Sequence, residues 1–180
     1  MSVKLNYNNM MANKLGSRGF TDEQIEAALP IAQAAHRGVE NGRGKNMQGW
    51  MDSPYNQDEV VARIQTTAAR IAKNYKNFVV LGIGGSALGP IAVFTALKHL
   101  YYNELPDKVR KTPRFYVIDN VDPERMNALL DVIDPAETMF NVITKSGSTS
   151  ETMSQYLIAI DLLKSRLGRN ARNHIIATTS

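Results

Sequence analysis

The spacing of hydrophobic and polar residues divides the chain into a helical first part and an alternating second part. Apolar side chains recur at helical spacing over residues 21–37, which predicts a helix. Thr21 and Gln24 match the capping-box pattern at its start, and Pro30 predicts a kink or a break inside it. The following residues, 38–48, are rich in Gly and Asn and predict a loop.

A second helix is predicted over residues 58–75, with Asn56 as its cap, because the apolar residues there form one stripe. Beyond it, short apolar runs alternate with helical patterns. The apolar runs predict four strands, at residues 78–83, 115–118, 139–144 and 174–178. The helical patterns between them fall at residues 86–101, 123–133 (with Asp122 as the cap) and 149–167.

This alternation predicts an α/β fold, a three-layer sandwich in which a parallel sheet of buried strands carries helices on both faces. We expect residues 1–55 to form a helical N-terminal arm with a loop, and residues 56–180 to form the α/β domain.

Two unusual loops follow predicted strands, at the sheet edge where open α/β sheets bind ligands. Residues 82–90, Gly-Ile-Gly-Gly-Ser-Ala-Leu-Gly-Pro, follow the first strand and are called the glycine loop. Residues 144–152, Thr-Lys-Ser-Gly-Ser-Thr-Ser-Glu-Thr, follow the third strand and are called the hydroxyl loop.

The hydroxyl loop has the chemistry of a site for a phosphate monoester. It carries one cation, Lys145, and a turn-forming Gly147, and a helix begins directly after it, so that free amides and the positive helix end face the same space. Its hydroxyl residues are Thr144, Ser146, Ser148, Thr149, Ser150 and Thr152. The structural alternative is a simple capping box of Ser148 with Glu151, but a cap needs one hydroxyl rather than six.

The glycine loop imitates two nucleotide-binding motifs without completing either. The dinucleotide fingerprint needs an acidic residue about 20 residues further on, at the end of a second strand, and the nearest candidate, Asp119, is too distant. The triphosphate P-loop needs a Lys where Pro90 stands. A tight turn explains the glycines, but they also open the backbone to a ligand.

Composition narrows the classes of site and partner. The chain has no cysteine, which excludes disulfides, thiolate metal sites and a thiol nucleophile. The net charge of +4 is modest, and the arginines at 166, 169 and 172 fit a solvated helix end, so we expect no nucleic-acid partner. Residues 1–19 hold no apolar core of a signal peptide, and no apolar run spans a bilayer, so we expect a soluble cytoplasmic protein without membrane contact.

Together the two loops resemble those of the glucose-6-phosphate isomerases. Residues 48–54, Gln-Gly-Trp-Met-Asp-Ser-Pro, are similar to a stretch of bacterial members, and residues 176–179 also resemble the family. The resemblance runs from about residue 42 to the end. It implies a sugar-isomerase (SIS) domain of flavodoxin-like fold and the reversible interconversion of glucose 6-phosphate and fructose 6-phosphate, in glycolysis and gluconeogenesis, without a cofactor or metal.

By position, the resemblance implies that Gly85 and Ser86 line the sugar. The phosphate would be held by the hydroxyl loop, through Thr144, Lys145, Ser146 and Thr149, with Ser148 and Ser150 as weaker candidates. Thr144 stands where the family commonly has Ser, and Ser150 where it has Gln or Thr; both substitutions keep a short polar side chain.

The reaction also needs a general base and a cation beside the developing oxyanion. In the family these are a Glu, an Arg, a His that a partner subunit supplies, and a late Lys, all beyond the position of Ser180. We therefore expect no catalytic residue in this chain. His36, His99 and His174 show no ligand spacing, His99 is expected on a helix, Asp122 is expected as a cap, and Glu151 is expected to have a structural role.

The chain stops after a predicted strand, where a crossover would follow. This favours one domain of a longer, dimeric isomerase, inactive by itself, over the alternative of a stand-alone SIS module that senses a phosphosugar and regulates a partner.

Overall fold

The predicted parallel sheet is present in the computed structural model, which describes residues 4–179. It has four strands: β1 (Asn77–Leu81), β2 (Arg114–Ile118), β3 (Thr138–Ile143) and β4 (Ile175–Thr178). All neighbours are parallel, in the order β2-β1-β3-β4. The α/β class is therefore confirmed, and each strand lies within two residues of its predicted bounds.

Helices fill the intervals between and before the strands. The α-helices are α1 (Ala12–Leu15), α2 (Asp22–Asn41), α3 (Asp58–Asn74), α4 (Gly85–Leu97), α5 (Asp107–Arg110), α6 (Pro123–Val132) and α7 (Ser150–Leu167). Short 3₁₀ helices occupy Asn8–Met10, Gly16–Arg18, Asn46–Asp52, Tyr102–Glu104, Pro135–Glu137 and Gly168–His174. Among residues 4–179, no helix is long and apolar enough to cross a membrane.

One face of the sheet packs against α6 and α7. Successive residues of a strand point to opposite faces, so alternate residues of β1 and β3 share one core. This core contains Val79, Leu81, Phe140 and Val142 from the strands, Met126 and Leu129 from α6, and Ala159 and Leu163 from α7. The apolar stripes of both helices are thereby removed from water, which is the main stabilising contribution to such a domain.

The opposite face of the sheet packs against α4 through aromatic side chains. Phe94 of α4 stacks on Phe115 of β2 with ring centroids 4.6 Å apart, and Phe115 faces Phe78 of β1 at 6.3 Å. Helices therefore cover both faces, which confirms the three-layer sandwich.

The connection from α4 to β2 differs from its prediction. The helix predicted to continue to residue 101 ends at Leu97, and Lys98 is already extended. The connection is stabilised instead by the buried guanidinium of Arg110, which donates to the carbonyl oxygens of Leu105 and Thr112 and pairs with Asp107. Such contacts between loop residues leave no periodic signal in the sequence.

The chain divides into two compact units, Met1–Val61 and Ala62–Ser180, and the sheet belongs to the second. The boundary between them falls inside α3, a few residues after the predicted division at 55/56. Gln57, not Asn56, directly precedes α3, and its carbonyl accepts from the amide of Val61. Residues 1–3 and 180 of the predicted ranges lie outside the described residues.

The first unit contains the predicted N-terminal helical region. Thr21 and Gln24 form the predicted capping box at the start of α2, with each side chain accepting from the amide of the other residue. Pro30 neither ends nor splits α2, which extends to Asn41 and so replaces the first residues of the predicted loop. Arg43 then pairs with Glu40 and Asp52, which ties the 3₁₀ helix Asn46–Asp52 to the end of α2.

Candidate functional site

The glycine loop and the hydroxyl loop follow neighbouring strands at one edge of the sheet. β1 and β3 pair in register from Asn77 with Thr138 to Leu81 with Val142, so that both strands deliver their loops to the same edge. The chain runs outward from β1 to β2 and then returns to β3 on the other side of β1. In open α/β sheets, ligand sites form where the strand order reverses in this way.

Gly82 allows the glycine loop to turn tightly against this edge. A Cβ atom built there would lie 3.0 Å from the Cβ of Ser86 and 3.4 Å from the carbonyl oxygen of Ile143, at the end of β3. The missing side chain therefore lets the first turn of α4 approach the end of β1 beside the start of the hydroxyl loop.

Gly85 and Ser86, the two sugar-lining candidates, are the first two residues of α4. The helix begins one residue earlier than predicted because Gly84, with φ +54°, makes the turn from the strand. The amides of Ser86 and Ala87 donate to the carbonyls of Ile83 and Gly84, so Ser86 presents a hydroxyl rather than a free amide. Gly85 is exposed, and nothing lies within 4 Å of where its Cβ would be.

The hydroxyl loop has a buried base and an exposed tip. At the base, Thr144 is buried, its amide donates to the carbonyl of Thr178, and its Oγ1 lies 3.2 Å from Oγ1 of Thr149. At the tip, Oγ of Ser146 lies 2.7 Å from Oγ of Ser148, and Gly147 has φ +71°. The structure thus brings all the predicted phosphate-loop residues together in one tight turn, with Lys145 exposed beside them.

The capping box of Ser148 with Glu151 does not form. Helix α7 begins at Ser150 after Thr149, and no side chain of the described residues caps it. The Ser148 hydroxyl pairs with Ser146, and the Ser148 amide donates to Oγ of Ser146 at 3.4 Å rather than to Glu151. The first amides of an 18-residue helix therefore point toward the loop without a capping side chain, an arrangement that favours an anion.

The other polar candidates have structural contacts. Asp122 caps α6 as predicted, accepting from the amides of Glu124 and Arg125. Asp119 pairs with the guanidinium of Arg125. Both lie in the segment after β2, at the same edge as the two loops.

The two histidines of the second unit, His99 and His174, lie away from this edge. His36 is in α2 of the first unit. His99 follows α4 rather than lying on a helix, and its Nδ1 accepts from the amide of Tyr101. His174 precedes β4, with Nδ1 2.9 Å from the carbonyl oxygen of Thr138, the first residue of β3, so it lies at the opposite edge of the sheet. Within residues 4–179, no group of three or more His, Asp or Glu residues could hold a metal ion.

One contact at the edge was not predicted. Gln155 of α7 is buried, and its Nε2 donates to the carbonyl of Asn120, after β2, at 3.1 Å. The available signal was a glutamine on the stripe of α7 that continues with Ala159 and Leu163, where an apolar residue is expected.

The fold and the two loops define a doubly wound α/β domain with a candidate anion site at its topological switch point. The family model for phosphoglucose isomerase matches residues 56–180. The chain therefore belongs to the phosphoglucose isomerase family.

Curated relatives agree with this assignment. The chain is 45% identical over 179 residues to a glucose-6-phosphate isomerase of Carboxydothermus hydrogenoformans, matching 99% of this chain and 39% of that protein. It is 37% identical over 150 residues to the corresponding enzyme of Rubrobacter xylanophilus, matching 83% of this chain and 33% of that protein. The chain thus spans little more than a third of the length of these relatives.

Two crystal structures share the fold. A hypothetical protein from Thermus thermophilus superposes with a TM-score of 0.68 at 34% identity, over 88% of this chain and 35% of that one. A glucose-6-phosphate isomerase from Chlamydia trachomatis superposes with a TM-score of 0.59 at 24% identity, over 77% of this chain and 25% of that one.

Proposed function

We propose that this chain is the phosphosugar-binding part of a glucose-6-phosphate isomerase, the enzyme that interconverts glucose 6-phosphate and fructose 6-phosphate. Family membership supports the reaction class, since the curated relatives carry that name. The observation that carries the binding role is the start of α7, which no described side chain caps and which the hydroxyl loop precedes at the β1/β3 switch point.

In this proposal the hydroxyl loop holds the phosphate. Each hydroxyl pair, Thr144 with Thr149 and Ser146 with Ser148, donates one proton to the phosphate oxygens. The first amides of α7 add further donors, and Lys145 contributes positive charge. Hydroxyls and amides suit a phosphate monoester because they can donate hydrogen bonds to its singly and to its doubly ionised form.

The glycine loop then faces the sugar. The exposed backbone at Gly85 lets a ring or an open chain approach closely, and the hydroxyl of Ser86 can bond a sugar hydroxyl. Phosphate binding by one loop leaves the sugar lying along the other, because the two loops follow neighbouring strands.

The chemical step needs more than this chain supplies. Moving a proton between carbons 1 and 2 through an enediol requires a general base and a cation beside the oxyanion. We propose that the remaining length found in the relatives supplies both, that the complete enzyme is a homodimer, and that residues 1–55 form an arm while residues 56–180 form the SIS domain. The match of the family model to residues 56–180 supports this division.

Calorimetric titration of the purified chain tests the binding role. We expect fructose 6-phosphate to bind more tightly than inorganic phosphate, and unphosphorylated fructose not to bind measurably. If none of the three binds, the titration is repeated with the full-length protein. Binding only there would show that the remaining part completes the site, and no binding there would contradict the proposal.

A further inference from the structure

The buried stripe of α7 changes character along its length. It consists of Thr152, Gln155, Ala159 and Leu163, spaced three or four residues apart. The last two belong to the hydrophobic core under the sheet, whereas the first two are polar and almost completely buried, at 1% and 2% exposure. Burying an amide side chain is unfavourable unless its polar atoms are bonded, so a glutamine at this position requires an explanation.

Gln155 connects two segments that are distant in the chain. Its Nε2 donates to the carbonyl of Asn120, which lies two residues after β2, whereas α7 follows β3. Because β1 lies between β2 and β3, this bond passes across the end of β1, from which the glycine loop emerges. The Oε1 atom of Gln155 and the Oγ1 atom of Thr152 have no partner among the described residues.

The segment after β2 is itself held firmly. Asp119 pairs with Arg125, and Asp122 caps α6, so the segment is tied to the start of that helix. The amide of Gly82 donates to the carbonyl of Ile118, at the end of β2. Asn120 therefore offers a fixed acceptor, to which Gln155 attaches the N-terminal half of α7.

We propose that Gln155 is a positioning residue for the phosphosugar site, an inference that rests on the function proposed above. Its bond to Asn120 fixes the first turns of α7 against the sheet edge and so sets the direction of the amides and hydroxyls that hold the phosphate. Gln155 does not touch the ligand, because its side chain is buried beneath the edge.

The substitution Gln155→Met distinguishes a positioning role of Gln155 from a purely structural one, in which only stability would change. Methionine has nearly the length of glutamine, and Gln155→Met also removes the unpartnered Oε1 from the core. Asn120 is exposed, so its carbonyl can bond to water after the change. The melting temperature should therefore change little, and any loss of affinity reports on positioning.

The test compares Gln155→Met with Gln65→Met, the same change on the exposed surface of α3. We expect Gln155→Met to weaken fructose 6-phosphate binding about three- to tenfold, because binding must then order the first turns of α7, which Gln155 no longer fixes. Amide hydrogen exchange in the first turns of α7, where the amide of Met153 donates to the carbonyl of Thr149, should also become faster. Gln65→Met should match the wild type in both measurements.

A second variant, Gln155→Glu, provides a test if Gln155→Met folds poorly. Gln155→Glu retains the size of the side chain, and its carboxyl can donate to Asn120 only when protonated. Its affinity, relative to that of the wild type at each pH, should recover as the pH falls. A folded Gln155→Met chain with wild-type affinity would overturn this inference, whereas a wild-type protein that does not bind fructose 6-phosphate would overturn the proposed function instead.

Discussion

At the scale of single residues, the hydroxyl loop is organised by its own hydrogen bonds. Oγ1 of Thr144 pairs with that of Thr149 at the base, and Oγ of Ser146 pairs with that of Ser148 at the tip. Each pair has two hydroxyl protons and uses one internally, so one proton per pair remains for a ligand oxygen. Binding then requires little further ordering of side chains, which is favourable for affinity.

Removal of one hydroxyl from each pair tests this arrangement. We expect the double variant Ser146→Ala/Thr149→Ala to bind fructose 6-phosphate at least about tenfold more weakly, because each remaining hydroxyl loses the partner that orients its proton toward the phosphate. Ser154→Ala is the matched control, since that exposed hydroxyl only donates to the carbonyl of Ser150 within α7. Calorimetry measures both, and unchanged binding by the double variant would remove the hydroxyl loop from the site.

Tyr116 on β2 makes the free energy of unfolding of the domain depend on pH in the alkaline range. Partial burial raises the pKa of its phenol above the ordinary value, because desolvation disfavours the phenolate. The unfolded chain therefore loses this proton at lower pH than the folded chain. The contribution to stability is present below about pH 10 and is lost as the pH rises through the folded pKa.

We expect Tyr116→Phe to flatten this alkaline decline in the free energy of unfolding. Denaturant titrations at a series of pH values from neutral to about 11 measure it. Tyr101→Phe is the control, since Tyr101 is 71% exposed. If the free energy of unfolding fell equally steeply with pH in the wild type and in Tyr116→Phe, Tyr116 would not be the cause of the alkaline decline.

At the scale of elements, α4 and α7 begin in similar ways. Each follows a strand through a tight turn with a glycine at positive φ, Gly84 before α4 and Gly147 within the hydroxyl loop. Neither helix has a side-chain cap among the described residues. Two helix starts without caps at one sheet edge place two positive dipole ends near the same space, although the first amides of α4 are already bonded to local carbonyls.

Substitutions at two neighbouring glycines of the glycine loop distinguish a glycine required by the turn from a glycine required for contact with the ligand. Gly84→Ala forces a side chain onto φ +54° and should destabilise the fold by about 1–3 kcal/mol. The methyl group of Gly85→Ala would lie in open space on a helical residue, so stability should be retained or slightly increased while fructose 6-phosphate affinity falls.

Denaturant unfolding and calorimetric titration of both glycine variants provide the comparison. If Gly85→Ala bound the phosphosugar as well as the wild type, the sugar would not lie against this backbone, and the glycines would serve the turn alone.

At the scale of the whole molecule, this chain should bind but not convert its substrate. It spans 39% of the Carboxydothermus relative, and we propose that the base and cation of the reaction lie in the remainder. A coupled assay of the purified chain with fructose 6-phosphate should therefore give no turnover above the background without enzyme. Normal turnover would show that a residue within this chain acts as the base. A longer protein that contains this chain, with the remaining length of the relatives, is the positive control.

Several features of the fold follow from short stretches of sequence. The strand runs, the capping box of Thr21 with Gln24 and the cap at Asp122 were predicted correctly because each depends on residues at most four positions apart. The same holds for the start of α3, which the stripe of apolar residues placed correctly.

Local patterns were misleading where other hydrogen bonds compete with them. Ser148 and Glu151 have the spacing of a capping box, yet the Ser148 hydroxyl pairs with Ser146 across the turn at Gly147. The helix predicted up to residue 101 stops at Leu97, and the buried Arg110 organises the connection that follows. Both outcomes depend on side-chain hydrogen bonds between residues two to five positions apart, which the periodicity of the side chains does not reveal.

The sequence by itself determined the class of fold, the order of the elements and the chemistry of the two loops, because hydrophobic periodicity and local hydrogen bonding decide these. Only the tertiary structure decided that β3 lies beside β1, which brings the two loops side by side. It alone decided that Gln155 reaches Asn120 across 35 positions of sequence. Such long-range contacts arise from the joint packing of the sheet and its helices, and no short stretch of the chain specifies them.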